Sequence, residues 1–274
     1  MNLSIFASYV MNRVFPTPEI GLPHMYDQGM RCADISEALL PTYPLHMQVE
    51  YFKMAGLKPN CLITTQDIAT ADAMTIRKSI AIIKGYIDQL EKLNIPLIML
   101  APRVIKAHNK EEFDAMQKKM IESLTEITEY AKGTGVTVSI ENQSSTTRAD
   151  SSMHDIKKIL DAVPELGYVL DIGNFFCIGE DVLTAYELLK DRIVHAHFKD
   201  WEWDCFGTEM GENLPRFNGT TIGTGLLPVY ELAQRMKKDG YDGTVALEIN
   251  AYHITEKMLD DSAKFLRESF SLSF

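Results

Sequence analysis

The chain has 274 residues, 46% of them hydrophobic and 24% charged, with a formal net charge of −11. That suits a globular protein with a large core, although length alone does not separate one big α/β barrel from two smaller domains. The acidic balance speaks against a nucleic-acid partner, which needs Lys and Arg along a phosphate track, and against an anionic membrane surface.

No apolar run approaches the roughly 20 residues that span a bilayer. The opening Met-Asn-Leu-Ser-Ile-Phe carries no basic segment, so the expectation is a cytoplasmic protein without a secretory leader. The cysteines are Cys32, Cys61, Cys177 and Cys205, and none forms a C-x-x-C pair, so neither a zinc ribbon nor a redox motif is supported.

Along the chain, short β-type runs alternate with longer helical ones. A strand over 3–8 precedes a poor helix at 16–30, which holds three prolines, and a strand at 32–36. Helix 42–55 then leads to strand 60–64, helix 72–93 to strand 96–101, helix 110–133 to strand 136–142 and helix 152–162 to strand 167–171. Helix 180–190 leads to strand 192–199 and helix 226–239 to strand 244–250. A helix over 255–270 ends the series. Ile76, Ile80, Ile83, Ile87 and Leu90 recur three or four apart and make one apolar stripe. Gly133 and Gly135 sit where the 110–133 helix should stop. Asp150, Ser151 and Ser152 offer capping oxygens to the next helix.

Eight strands alternating with about eight helical segments is the count of an α/β (β/α)8 TIM barrel. No linker splits the chain, so residues 1–274 are expected to form a single domain. An open doubly wound sheet is the alternative, but it would want a Gly-rich first turn, and none follows residues 3–8.

Four of the strands end in side chains that bind metals. They read Val138-Ser-Ile-Glu141, Tyr168-Val-Leu-Asp171, Ile193-Val-His-Ala-His197 and Gly243-Thr-Val-Ala-Leu-Glu248. Side chains alternate faces along a strand. In each run the apolar parity points outward (Val138, Ile140; Leu170; Val194, Ala196, Phe198; Val245, Leu247, Ile249). The polar parity points inward (Ser139, Glu141, Gln143; Asp171; His195, His197, Lys199; Glu248, Asn250), and it lies toward the C-terminal ends, where barrel active sites sit. Glu141, Asp171, His197 and Glu248 on neighbouring strands could surround one cation. Three carboxylates and an imidazole suit a divalent ion and disfavour Cu(I). The alternative is that some of them merely pair with a Lys or Arg inside the barrel.

With its Glu141-Asn142, Leu170-Asp171-Ile-Gly173-Asn174, Val194-His-Ala-His197-Phe-Lys199-Asp200 and Leu247-Glu248, the chain resembles the xylose isomerase-like TIM barrels. The likeness is to their sugar phosphate isomerase/epimerase group, which includes ketose 3-epimerases and hydroxypyruvate isomerase. These positions stand where that family carries its four ligands. Asn174 replaces the His often found there, and the Gly-Glu-Gly often seen before helix seven is Gly223-Thr-Gly225. The extra His of the related apurinic endonucleases is not evident in strand four.

The resemblance implies one divalent metal, Mn²⁺ or Zn²⁺ first, with Mg²⁺, Co²⁺ or Fe²⁺ as alternatives. It also implies an isomerase or epimerase of a sugar or sugar phosphate, with a small carbohydrate as partner and a homo-oligomer as one possible assembly. Such chemistry removes a proton next to a carbonyl, and the cation stabilises the enediolate. Glu141 and Glu248 would be the catalytic carboxylates. A dehydratase of a keto-polyol, and a hydrolase or apurinic endonuclease-like enzyme, are the alternatives.

Around the four ligands, Asn174, Lys199, Arg103 and Trp201 are candidate substrate-binding residues. Lys199 could equally pair with a ligand carboxylate or Asp200, and Arg103 could simply solvate the rim. His195 reads as a core histidine with a hydrogen-bond partner, and His253 as a surface residue. The stretch 201–222, with both tryptophans plus Phe206 and Phe217, is long for a structureless connection. It is either a lid over the site or a dimer contact or barrel cover. Gly223-Thr-Gly225 lies where barrels often cup a phosphate.

Overall fold

The computed structural model describes residues 1–102, 106–204 and 216–273. The elements are, in chain order, β1 (Asn2–Phe6), α1 (Ala7–Asn12), α2 (Pro18–Asp27), β2 (Cys32–Ser36), α3 (Leu45–Met54), β3 (Lys58–Thr64), α4 (Ala73–Leu93), β4 (Leu97–Leu100), α5 (Lys110–Ala131) and β5 (Thr137–Glu141). They continue with α6 (Met153–Ala162), β6 (Gly167–Asp171), α7 (Ile172–Cys177), α8 (Val182–Leu189), β7 (Ile193–Phe198), β8 (Asp200–Trp203), β9 (Phe217–Thr220), α9 (Val229–Lys238), β10 (Thr244–Leu247) and α10 (Glu256–Phe270).

Eight parallel strands close in the order β1-β10-β7-β6-β5-β4-β3-β2, as a TIM barrel does. The local sequence explains the boundaries. Asp72 caps α4 by accepting from the Met74 and Thr75 amides, and Asn94 ends it with φ 56. Ser152 caps α6 through the Asp155 amide, whereas Asp150 faces the buried Arg148 guanidinium instead, 2.7 Å away. The proline-rich segment is helical because Pro18 occupies the first turn, where its missing N–H costs nothing, and only Pro23 lies deeper.

Strand parity sorts the core into two layers. Ile98, Leu100, Val138, Ile140, Leu170, Ala196, Phe198, Val245 and Leu247 pack outward against the helices. On α4, Ile83, Ile87 and Leu90 are buried against this layer, each worth ~1.5–3 kcal/mol. Cys61, Leu97, Met99 and Val169 form a separate apolar cluster inside the barrel.

The rest of the interior is polar. A register shift between β2 and β3, at Ala33/Ile35, lets Asn60 reach inward, where its Nδ2 donates to Asp34 Oδ1 at 2.9 Å. Among the described residues, no helix is long and apolar enough to cross a membrane.

Candidate metal centre and active site

Glu141 ends β5, Asp171 ends β6, His197 stands one residue before the end of β7, and Glu248 follows β10. The register sets Asp171 and Ala246 on either side of His197, so Glu248 rises just above it. One ligand atom from each of Glu141, Asp171, His197 and Glu248 lies within 4.8 Å of the others. His197 Nδ1 is 2.5 Å from Glu141 Oε1 and 3.4 Å from Glu248 Oε2.

The four candidate ligands are held from behind. The Asn142 side chain clamps the Asp171 backbone, with Nδ2 donating to its carbonyl at 2.9 Å and Oδ1 accepting its N–H at 2.9 Å. Tyr168 donates to the same Asn142 oxygen at 2.7 Å. Asp171 Oδ1 caps α7 through the Asn174 amide, which leaves Oδ2 to the site. Gln143 Nε2 donates to Glu141 Oε2 at 3.0 Å.

Charge crowding sets the proton affinities. Burial drives the Asp171 carboxyl up to about 8, against the pull of Lys199 and with a push from Glu248 and Glu141. Burial works against a charged His197, yet Glu141, Glu248 and Asp171 outweigh it and raise the imidazole to about 9. Burial also works against an ionised Glu141, but His197 and Lys199 hold its carboxyl below the ordinary range.

The donor set fits a divalent cation. Glu248 Oε2 is buried with no hydrogen bond, and Asp171 Oδ2 has the Lys199 ammonium beside it at 2.7 Å but no aligned hydrogen bond. With the imidazole neutral, as ligation requires, Lys199 offsets one of the three carboxylate charges and a divalent ion would supply the remaining two.

The sequence matches the family described as xylose isomerase-like TIM barrel over residues 42–269. The chain belongs to that family. It is 23% identical over 222 residues to an inosose isomerase of Halalkalibacterium halodurans, covering 80% of this chain and 76% of that one. It is 22% identical over 246 residues to a fructoselysine 3-epimerase of Shigella flexneri, covering 87% and 81%. Among solved structures, it superposes on the IolI protein with a bound zinc atom with a TM-score of 0.77 at 19% identity, covering 100% of this chain and 99% of that one.

Around the four candidate ligands of this xylose isomerase-like barrel, the remaining candidates fall into place unevenly. Lys199 is buried with its Nζ 2.7 Å from Asp171 Oδ2, 3.0 Å from Glu248 Oε1 and 3.5 Å from Asn174 Oδ1. Burial opposes its charge, but Asp171, Glu248 and Glu141 together keep it protonated well above the usual lysine range. Asn174 Nδ2 donates to the Asn142 carbonyl at 2.8 Å, so that side chain braces the wall.

Trp201 is fully buried, its Nε1 donating to the Gly173 carbonyl at 3.0 Å, and it stands behind Lys199 rather than over the mouth. Trp203 is 60% exposed and leans on Phe217, which in turn leans on Phe176. Phe6 sits edge-on to the His197 ring, with centroids 4.8 Å apart. Arg103 and Phe206 lie outside the described residues. The two ends of the 201–222 stretch are not loop. They pair as antiparallel strands β8 and β9, with Trp201 opposite Gly219.

Two corrections concern Asp200 and the glycines before α9. The Asp200 carboxylate does not pair with Lys199. It accepts the backbone N–H groups of Trp201, Gly223, Gly225 and Leu227 at 2.9–3.1 Å. The Gly223 and Gly225 amides, which lie where barrels often cup a phosphate, are therefore already taken by the Asp200 carboxyl group.

His195 is a core histidine, as expected, with Nδ1 2.9 Å from the Thr244 carbonyl and Nε2 3.1 Å from Asp34 Oδ2. His253 is exposed. Sequence reasoning missed Asp34. Its signal was a lone carboxylate in the middle of the apolar run Cys32-Ala-Asp-Ile. Asp34, His195 and His197 also approach within 4.8 Å of one another, but Asn60 and His195 satisfy both Asp34 oxygens. That group buttresses the His197 ring, to which His195 stands edge-on at 5.0 Å.

Proposed function

We propose that this protein is a divalent-metal-dependent isomerase or epimerase of a sugar. The reading rests on the convergence of Glu141, Asp171, His197 and Glu248 at the C-terminal end of the barrel. Those four would hold the ion, with Mn²⁺ or Zn²⁺ the best match to a mostly oxygen shell with one imidazole. When bound, the cation supplies Lewis-acid stabilisation of the oxyanion that develops as a proton leaves the carbon next to a carbonyl.

The chain's own residues do the rest. Glu141 and Glu248 lie on opposite sides of His197 in the barrel order, so one takes the proton and the other returns it. Gln143 orients Glu141. Phe6, edge-on to the His197 ring, offers apolar surface to the C–H face of a sugar. Asp200 already holds the amides of a phosphate cup, which favours a substrate without a phosphate at that place. The similarity to an inosose isomerase and a fructoselysine 3-epimerase supports proton transfer next to a carbonyl.

The test is incubation of Mn²⁺-loaded protein with a panel of ketoses and inososes in D₂O. Deuterium should enter next to the carbonyl of the true substrate, and Glu141→Gln should slow exchange ~10²-fold or more. Absence of exchange with every candidate would sink the reading.

A further inference from the structure

We propose that Lys199 is a resident counter-cation of the metal centre: its ammonium holds Asp171 and Glu248 when no ion is bound, and a divalent cation displaces it on entry. This rests on the four residues being an ion site, and not on which sugar is turned over.

Three observations carry it. The Nζ atom contacts a carboxylate oxygen of two of the four candidate ligands, at 2.7 and 3.0 Å, so ammonium and cation compete for the same two carboxylates, and at Asp171 for the same oxygen, Oδ2. The side chain is built into a track. A Cβ on Gly173 would lie 2.2 Å from Lys199 Cγ and 2.4 Å from Cδ, so the stem runs through a gap that only glycine leaves. Trp201 walls the other side, tied by Nε1 to the Gly173 carbonyl. Asn174 Oδ1, 3.5 Å from Nζ, offers the ammonium a neutral acceptor nearby, and Asn174 is itself fixed to the frame at Asn142.

The charge count agrees. With three ionised carboxylates and a neutral imidazole, as ligation requires, Lys199 leaves two net negative charges, and a divalent ion neutralises them. Without Lys199 the metal-free site would crowd three carboxyl groups around the His197 ring alone, a more repulsive arrangement. The lysine thus lets the barrel fold around its ligands before metal arrives. Once displaced, its ammonium becomes available to substrate oxygens.

Lys199→Met should therefore bind Mn²⁺ more tightly than the wild type, by at least about tenfold, because the competing charge is gone. Its metal-free form should melt lower than the metal-free wild type, and saturating Mn²⁺ should raise its Tm by more. Isothermal titration of chelator-stripped protein gives the first quantity, and thermal unfolding gives the second. Equal or weaker Mn²⁺ affinity in Lys199→Met overturns the proposal.

Should that variant fail to fold, wild-type crystals with and without Mn²⁺ decide. Withdrawal of Nζ from Asp171 Oδ2 and Glu248 Oε1 on loading supports displacement, and an unmoved Nζ overturns it. A wild type that binds no divalent cation overturns the ion site itself. Inactivity on every ketose, with Mn²⁺ binding intact, bears on the sugar chemistry alone.

Discussion

Gly173→Ala turns the crowding behind the site into a number. Gly173 is the second residue of α7, and its added Cβ would meet Lys199 Cγ at 2.2 Å, Cδ at 2.4 Å and Trp201 Nε1 at 2.6 Å. Ordinary carbon contact is ~3.5 Å, so the lysine stem must retreat by more than about 1 Å. It cannot do so freely, because Nζ is anchored to Asp171 and Glu248 and the indole is anchored to the Gly173 carbonyl. Overpacking of this kind costs ~1–3 kcal/mol. Strain on the indole hydrogen bond adds about 1 kcal/mol, and the better helix propensity of alanine returns a similar ~1 kcal/mol.

The expected net loss is ~1–3 kcal/mol for the metal-free protein, read as a lower urea midpoint at an unchanged m-value. Gly85→Ala is the control. Gly85 lies inside α4 with nothing within 4 Å of its would-be Cβ, so that change should stabilise by ~0.5–1 kcal/mol. If Gly173→Ala is as stable as the wild type, or gains like Gly85→Ala, the close fit of Lys199 over Gly173 is refuted.

Asp171→Asn keeps an acceptor for the Asn174 amide and so preserves the α7 cap, while removing one ligand charge. Mn²⁺ affinity should fall ~10²-fold or more with helix content by circular dichroism unchanged, and undiminished affinity would exclude Asp171 as a ligand. Metal binding should also release protons: at pH 7 both Asp171, raised to about 8, and His197, raised to about 9, carry a proton that ligation expels. Titrations in buffers of different ionisation enthalpy should therefore show about two protons leaving near pH 7, few above pH 9, and an affinity that climbs between them. Proton-neutral binding at pH 7 would contradict the charge balance drawn for the site. Trp201→Ala should cost ~3–5 kcal/mol because it empties a fully buried space. Trp203→Ala, on an exposed face, should cost less than about 1 kcal/mol, and equal losses from the two would refute their assignment to core and rim.

The barrel and the convergence of Glu141, Asp171, His197 and Glu248 were legible because both follow from period-two alternation, a local property. Ile140 beside Glu141 and Leu170 beside Asp171 already state which face is which, and chain order makes β5, β6 and β7 neighbours. What stayed hidden depends on contacts between distant residues. Asp34 meets His195 across 161 positions, and Asn60 reaches Asp34 only because β2 and β3 slip register. Asp200 finds its four amides up to 27 residues downstream, and nothing in Lys199-Asp200 says that the carboxylate turns away from the lysine. The β8–β9 pair was missed because Asp-Trp-Glu-Trp and Phe-Asn-Gly-Thr are each too short to announce a strand without the other.

The interior these contacts build divides the labour of the barrel. Its apolar floor, Cys61, Leu97, Met99 and Val169, lies on the β3, β4 and β6 side and fills space without charge. Elsewhere in the interior, Asp34, His195, His197, Glu141, Asp171 and Lys199 are buried together, with Glu248 only 12% exposed beside them. Burying that many ionisable groups is a poor way to stabilise a fold, since paired charges in a core seldom repay their desolvation. Four of them are nonetheless braced by neutral partners: Asn60 on Asp34, Asn142 on the Asp171 backbone, Gln143 on Glu141 and Asn174 on Lys199. A cluster so costly and so carefully oriented, with Glu248 Oε2 still lacking a hydrogen bond, has its physical reason in the ion it would bind and the proton it would move.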